Sequence, residues 1–130
     1  MDERKERLAK TMANESRMII TEQIGVNCYQ TNNPEVKSYT GEVRGNLPHG
    51  VGVVEYKNGA IYKGDLKEGV LSGFGRMLGD EFDYEGYFRH GIRDGAGVVK
   101  NKQGKIIEEC HYEFGSNIKA KTASKGGVKV

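Results

Sequence analysis

Five landmarks recur in the same order three times along this 130-residue chain. They are a tyrosine, a glycine two residues on, a further glycine, and a Gly-x-Gly. The first set is Tyr39, Gly41, Gly45, Gly50 and Gly52. The second is Tyr62, Gly64, Gly69, Gly73 and Gly75, and the third is Tyr84, Gly86, Gly91, Gly95 and Gly97. The tyrosines stand 23 and 22 residues apart, and 15 of the 19 glycines fall between Gly41 and Gly104. Composition alone does not produce such order. A period of that length implies small supersecondary units, each burying its apolar face against the next.

Within a unit the periodicity is two, which is the signature of a strand. Tyr39, Gly41 and Val43 share one face, as do Tyr62, Gly64 and Leu66, and Tyr84, Gly86 and Phe88. The residues between are mostly polar: Thr40 and Glu42, Lys63 and Asp65, Glu85 and Arg89. The Gly-x-Gly segments continue the alternation into Val54, Met77 and Val99. Lys57-Asn58-Gly59 is a tight-turn signal, because Asn and Gly both tolerate positive φ. Gly79-Asp80 and Gln103-Gly104 occupy matching places, and the one-residue-shorter second unit predicts a different turn there. Each unit therefore reads as a β-hairpin. Glycine weakens a strand interior unless something needs the space. The expectation is that each tyrosine ring lies over the glycines of the adjoining hairpin.

This pattern resembles the MORN repeat (membrane occupation and recognition nexus), and His49-Gly50 resembles that family's frequent His-Gly. The resemblance covers Tyr39 to about Ile107. It implies an all-β fold, an elongated twisted antiparallel sheet of consecutive hairpins. It also implies a repeat protein that presents a surface rather than performs catalysis. Three stretches are expected: residues 1–36 as an N-terminal helix and strand extension, 37–115 as the repeat array with a degenerate last unit, and 116–130 as a basic tail. In the last unit Ile107 stands where Tyr is expected and Glu109 where Gly is expected.

Residues 2–16 predict a short helix. Glu3–Arg7 and Glu6–Lys10 are favourably ordered i,i+4 pairs, and Leu8, Met12 and Ile19, with Ala9 and Ala13, form a thin apolar stripe. Met18 to Val26 could add a strand ahead of the first repeat. The tail carries Lys119, Lys121, Lys125 and Lys129 with no acid and reads as a disordered segment or an electrostatic arm for an acidic surface.

Charge excludes some function classes. With 20 basic and 18 acidic residues the net charge is +2, too little for a nucleic-acid wrapper. Leu, Ile, Val and Phe number only 28 and Trp is absent, so a thick core is not expected. No apolar run is long enough to span a membrane as a helix. A soluble, intracellular protein is expected, with Cys28 and Cys110 as free thiols. Gly50-Val51-Gly52 mimics a phosphate loop, but no Gly-Lys-Ser/Thr follows. His49 and His90 belong to the repeat pattern, and Cys110 and His111 point to opposite faces of a strand. Asp65, Asp80, Asp83 and Glu85 are explained as exposed strand positions. No cofactor, metal site or catalytic residue is expected.

Val51, Val53, Phe74, Ala96 and Val98 alternate out of phase with the tyrosines. On a single-layer sheet they would form an apolar streak on the uncovered face, a contact surface for protein partners. The leading expectation is a non-catalytic scaffold within a larger assembly. The resemblance makes cytoskeletal settings plausible, including the cilium, the flagellum and its axoneme. A phosphoinositide- or membrane-associated adaptor and an accessory subunit of an enzyme complex are the alternatives.

Overall fold

Period-two segments joined by short turns leave antiparallel hairpins as the simplest arrangement. The computed structural model describes residues 17–122, with side chains through Ile118. It contains ten strands: β1 Ile20–Gly25, β2 Cys28–Thr31, β3 Val36–Arg44, β4 Leu47–Tyr56, β5 Ile61–Lys67, β6 Val70–Leu78, β7 Phe82–Arg89, β8 Ile92–Asn101, β9 Ile106–Glu113 and β10 Ser116–Thr122. All pair antiparallel in chain order within one open sheet whose edges are β1 and β10. The expected all-β sheet of consecutive hairpins is therefore the fold. No helix occurs among the described residues, and the helix expected over 2–16 lies outside them.

The three units of the sequence are the hairpins β3–β4, β5–β6 and β7–β8. The landmark glycines fall into one cross-strand row. Gly41 pairs with Gly52, Gly52 with Gly64, Gly64 with Gly75, Gly75 with Gly86, and Gly86 with Gly97. This row crosses six strands and makes a shallow trough on one face. The tyrosine rings lie in it.

Each ring covers its own hairpin, not the adjoining one. A Cβ on Gly52 would run into Tyr39, on Gly75 into Tyr62, and on Gly97 into Tyr84. Two residues separate tyrosine and glycine diagonally across one hairpin, and an aromatic side chain spans that distance. The Tyr39 hydroxyl donates to the Glu42 carbonyl at 2.5 Å, and that of Tyr62 donates to the Asp65 carbonyl at 2.7 Å. Those bonds hold each ring along its own strand.

Each repeat hairpin carries the same irregularity. Gly41 pairs with Gly52 but Val43 with Pro48, and the later units repeat this at Gly64/Leu66 and Gly86/Phe88. One residue of the first strand therefore faces three of the second. The bulge puts Gly50, Gly73 and Gly95 at φ of 98°, 101° and 99°, where a side chain is strained. Acidic side chains take up the N–H groups that the bulge frees. Glu42 Oε1 accepts from Val51 N–H at 2.9 Å, and Asp65 Oδ2 accepts from Phe74 N–H at 3.3 Å.

Successive hairpins are locked at their turns. Glu68-Gly69, His90-Gly91 and Phe114-Gly115 all have positive φ at both residues, as a two-residue type I′ turn demands. Gly69 N–H donates to Pro48 O, Gly91 N–H to Leu71 O, and Gly115 N–H to Arg93 O, at 2.8, 3.0 and 3.1 Å. His49 Nδ1 accepts from Glu68 N–H at 3.1 Å, and Asp94 Oδ1 from Phe114 N–H at 3.4 Å. At the other end, Gly59 and Gly104 take φ of 97° and 87°, while Gly79 in the shorter β6–β7 turn does not enter that region.

The strand expected over Met18 to Val26 is β1, and β2 follows it from Cys28. Two features of the last unit differ from the sequence reading. The last unit is a full hairpin, so residues 116–122 belong to the sheet instead of a tail. Its register also moves by one residue. Glu108 pairs with Val99 and Cys110 with Gly97, so these two, not Ile107 and Glu109, replace Tyr and Gly. Tyr112 pairs with Gly95 as Phe88 does with Gly73, which keeps an aromatic in that column.

The core is a thin row of rings on the trough face. Tyr39 and Tyr62 are fully buried and Tyr84 is 2 % exposed. Tyr62, Phe88, Tyr84 and Tyr112 meet edge to face in sequence, with centroids 5.1, 5.6 and 5.6 Å apart. Burial pushes the hydroxyls of Tyr39, Tyr56 and Tyr84 up to about 12 from the ordinary 10.0, and Tyr62 higher still. A tyrosine whose folded value is raised stabilises the fold fully below the unfolded value. That contribution is lost as pH rises through the folded value. Stability is thus expected to fall between pH 10 and 12. A denaturant midpoint measured at about pH 11.5 should lie well below the one at about pH 9, and equal midpoints would contradict the burial of these rings.

Candidate functional site

The two faces of the sheet differ in kind. On the tyrosine face a groove of about 530 Å³ opens beside the rings. Tyr56, Ala60, Leu71, Met77, Phe88 and Ile92 line it, with Glu35 and Arg93 as its charged members. Arg93 occupies the place that Leu71 holds one hairpin earlier. Its guanidinium lies 4.3 Å from the Tyr84 ring centroid and donates to the Tyr112 hydroxyl at 2.9 Å. The Tyr84 hydroxyl is buried without a hydrogen-bond partner, unlike those of Tyr39 and Tyr62.

The opposite face carries the five apolar residues singled out from sequence, but not as one streak. Pairing places them in two rows. Val53, Lys63, Arg76, Glu85, Val98 and Glu109 stand opposite one another across β4 to β9. Val53 and Val98 are half-buried at the two sides of this charged row. The second row holds Val51 opposite Asp65, Phe74 opposite Tyr87, and Ala96 opposite His111. Asp65 interrupts it because the bulge draws that carboxylate to the Phe74 N–H.

What emerges is an aromatic island. Phe74 and Tyr87 pack edge to face with centroids 5.5 Å apart, and they remain 47 % and 51 % exposed. Tyr87 was absent from the sequence-derived set. It holds the position that Glu42 and Asp65 hold in the earlier units, three residues after the repeat tyrosine. The replacement of an acid by an aromatic was the available signal.

Three cations beside the island are compensated. Glu85 binds Arg76 Nε and Lys100 Nζ, each at 3.1 Å, and Asp83 binds Lys102 Nζ at 2.7 Å. The hydrogen bond from Lys102 holds the Asp83 carboxyl below its usual range. Lys119 and Lys121 lie in β10, their backbones opposite His111 and Glu109, while Lys125 and Lys129 are outside the described residues. Cys110 is buried and its thiol is pushed up, chiefly by desolvation, which disfavours the reactive thiolate. Among the described residues no group of three or more His, Cys, Asp or Glu is placed to hold a metal. No described helix is long and apolar enough to cross a membrane.

Comparison with known proteins bears on the same hairpins. Alsin of Rattus norvegicus is 29 % identical over 82 residues, covering 58 % of this chain and 5 % of alsin. Alsin of Mus musculus and of Homo sapiens match to the same extent. The chain thus spans about a twentieth of the length of these relatives, 5 % in each case. Residues 39–61, 62–80 and 84–104 each match the MORN repeat, a module that binds proteins or membranes. These intervals coincide with β3–β4, β5–β6 and β7–β8, and through them the chain belongs to the MORN-repeat family.

Proposed function

We propose that this protein is a non-catalytic scaffold that joins protein subunits within a larger intracellular assembly, of the cytoskeletal or ciliary kind. The observation that carries this reading is the Phe74–Tyr87 island, two aromatics half in water on a sheet face that no second layer covers among the described residues. Amphipathic rings with a polar surround are the commonest anchors of protein contacts. The charged row alongside supplies register more than affinity, because exposed ion pairs contribute little. Compensation of Arg76, Lys100 and Lys102 by Glu85 and Asp83 favours a protein partner over an anionic lipid surface, which needs uncompensated cations.

Phe74→Glu tests the reading. The side chain is exposed, so the circular dichroism of the sheet should not change. Partner subunits that co-purify with the wild type should be lost, and unchanged co-purification would remove the island as the contact surface. The purified chain alone should show no catalytic turnover.

A further inference from the structure

Three parts of the molecule meet at the Glu68-Gly69 turn. Gly69 N–H donates to Pro48 O at 2.8 Å and Glu68 N–H to His49 Nδ1 at 3.1 Å, which ties the turn of β5–β6 to strand β4. Met18 N–H donates to Gly69 O at 2.8 Å, and Ile20 N–H donates to Asn46 O at 2.7 Å. Residues 18–20 therefore staple the β3–β4 turn to the β5–β6 turn. Both staple bonds form only while those turns keep one separation. Met18 is 3 % exposed and packs in the core cluster, so the staple carries apolar surface with it.

Among the groups that set this separation, His49 is the one whose side chain changes charge near neutral pH. Its ring is caught between two donors. Arg44 Nη1 stands 3.4 Å from Nε2, and the Glu68 N–H points at Nδ1. A neutral imidazole accepts at one nitrogen, and an imidazolium accepts at neither. With Nδ1 accepting from Glu68, Nε2 carries the hydrogen. Protonation at Nδ1 then sets a donor against the Glu68 N–H and a second positive charge beside the guanidinium.

The surroundings oppose that charge. Among the described residues, Arg44 faces the ring from β3, Lys67 follows the Gly50–Leu66 pair in the β4–β5 register, and the Arg17 side chain packs on Gly69. On the acidic side, Glu42 is bound to the Val51 N–H and Glu68 is exposed to water. Ser72 and Asp94 hold the place of His49 in the later units. Asp94 Oδ1 accepts from Phe114 N–H at 3.4 Å, and carboxylates as a class stay ionised above about pH 5. The imidazole is therefore peculiar to the first seam.

We propose that His49 is a pH-sensitive latch on the N-terminal end of the array. Neutral, it holds the Glu68-Gly69 turn against β4 and keeps the Met18–Ile20 staple seated. Protonated, it frees the turn, and the staple lifts and uncovers Met18. The seam is closed at neutral and alkaline pH and loosens as pH falls through the imidazole range. The latch involves neither Phe74 nor Tyr87, so it stands apart from the scaffold reading.

Amide hydrogen exchange on the full chain tests this, with each rate expressed relative to the unstructured chain at the same pH. Between about pH 7.5 and about pH 5.5, protection at Met18 and Glu68 should fall about five- to tenfold, the worth of one lost hydrogen bond. Phe114, whose acceptor is Asp94, should keep its protection. His49→Asn presents a non-titrating oxygen near the place of Nδ1, and His49→Ser copies the residue at position 72. Circular dichroism identifies a variant that has lost the sheet, and the other then decides. In a folded variant, acidification should no longer change protection at Met18. Constant protection in the wild type would overturn the latch. So would a fall shared equally by Phe114, which marks general destabilisation, or a fall that persists in a folded His49 variant, which assigns the change to another group.

Discussion

Valine at position 75 is expected to abolish the fold. Gly75 is not in the positive-φ region, so backbone strain plays no part. The obstacle is the Tyr62 ring, which any Cβ at this position would meet along with its hydroxyl. A flexible chain end could swing aside, but this ring cannot. It is fully buried, its hydroxyl is bonded to the Asp65 carbonyl, and Phe88 stands edge-on against it. Moving it would break that bond and open a void in the row of rings, and overpacking of a fixed core already costs about 1–3 kcal/mol. Both penalties together should exceed ~4 kcal/mol, a large share of the 5–15 kcal/mol that holds a typical domain. Gly59→Ala is the control. Nothing lies within 4 Å of its Cβ, and only its φ of 97° opposes the change. A loss of about 1–2 kcal/mol is expected there. Urea titration followed by far-ultraviolet circular dichroism separates the cases, and a Gly75→Val protein with wild-type stability would disprove the trough.

Removing the ring from the opposite side should be nearly as damaging. Tyr62→Ala leaves a cavity above the Gly64–Gly75 pair and takes away one partner of Phe88, which also contacts Tyr84. A buried aromatic truncated to alanine costs about 3–5 kcal/mol. Tyr62→Phe keeps the ring and loses only the bond to Asp65, which predicts about 0.5–1.5 kcal/mol. The same urea titration measures both. If Tyr62→Phe were as harmful as Tyr62→Ala, the hydroxyl rather than the ring would be the stabilising element.

The two glycines of each Gly-x-Gly illustrate how far sequence reading reaches. Both were legible as landmarks, but they have different tasks. Gly50, Gly73 and Gly95 form the bulge, where φ is near 100°, while Gly52, Gly75 and Gly97 supply room for a ring. Glu42 and Asp65 looked like solvent-facing members of an alternation. Their role as acceptors for Val51 and Phe74 exists only because the bulge frees those N–H groups. Tyr87 was overlooked for the same reason, since its position gains meaning from the acids it replaces. In β9 a bulge at Ile107, between the Lys100–Ile106 and Val99–Glu108 pairs, shifted the register by one residue, and Glu108 and Cys110 carry no landmark to reveal this. β10 has no repeat signature, so its pairing was not visible, although Phe114-Gly115 repeats the turn chemistry of His90-Gly91.

The sequence by itself determined the hairpin period, the strand faces and the all-β class. These follow from alternation and turn chemistry, which are local properties of a few neighbouring residues. Only the tertiary structure decided which glycines each ring covers, that the apolar positions of the opposite face split into two rows, and that a groove opens beside the rings. Each of these depends on how far one strand is offset from the next. That offset is fixed by bulges and turn lengths acting together across the sheet.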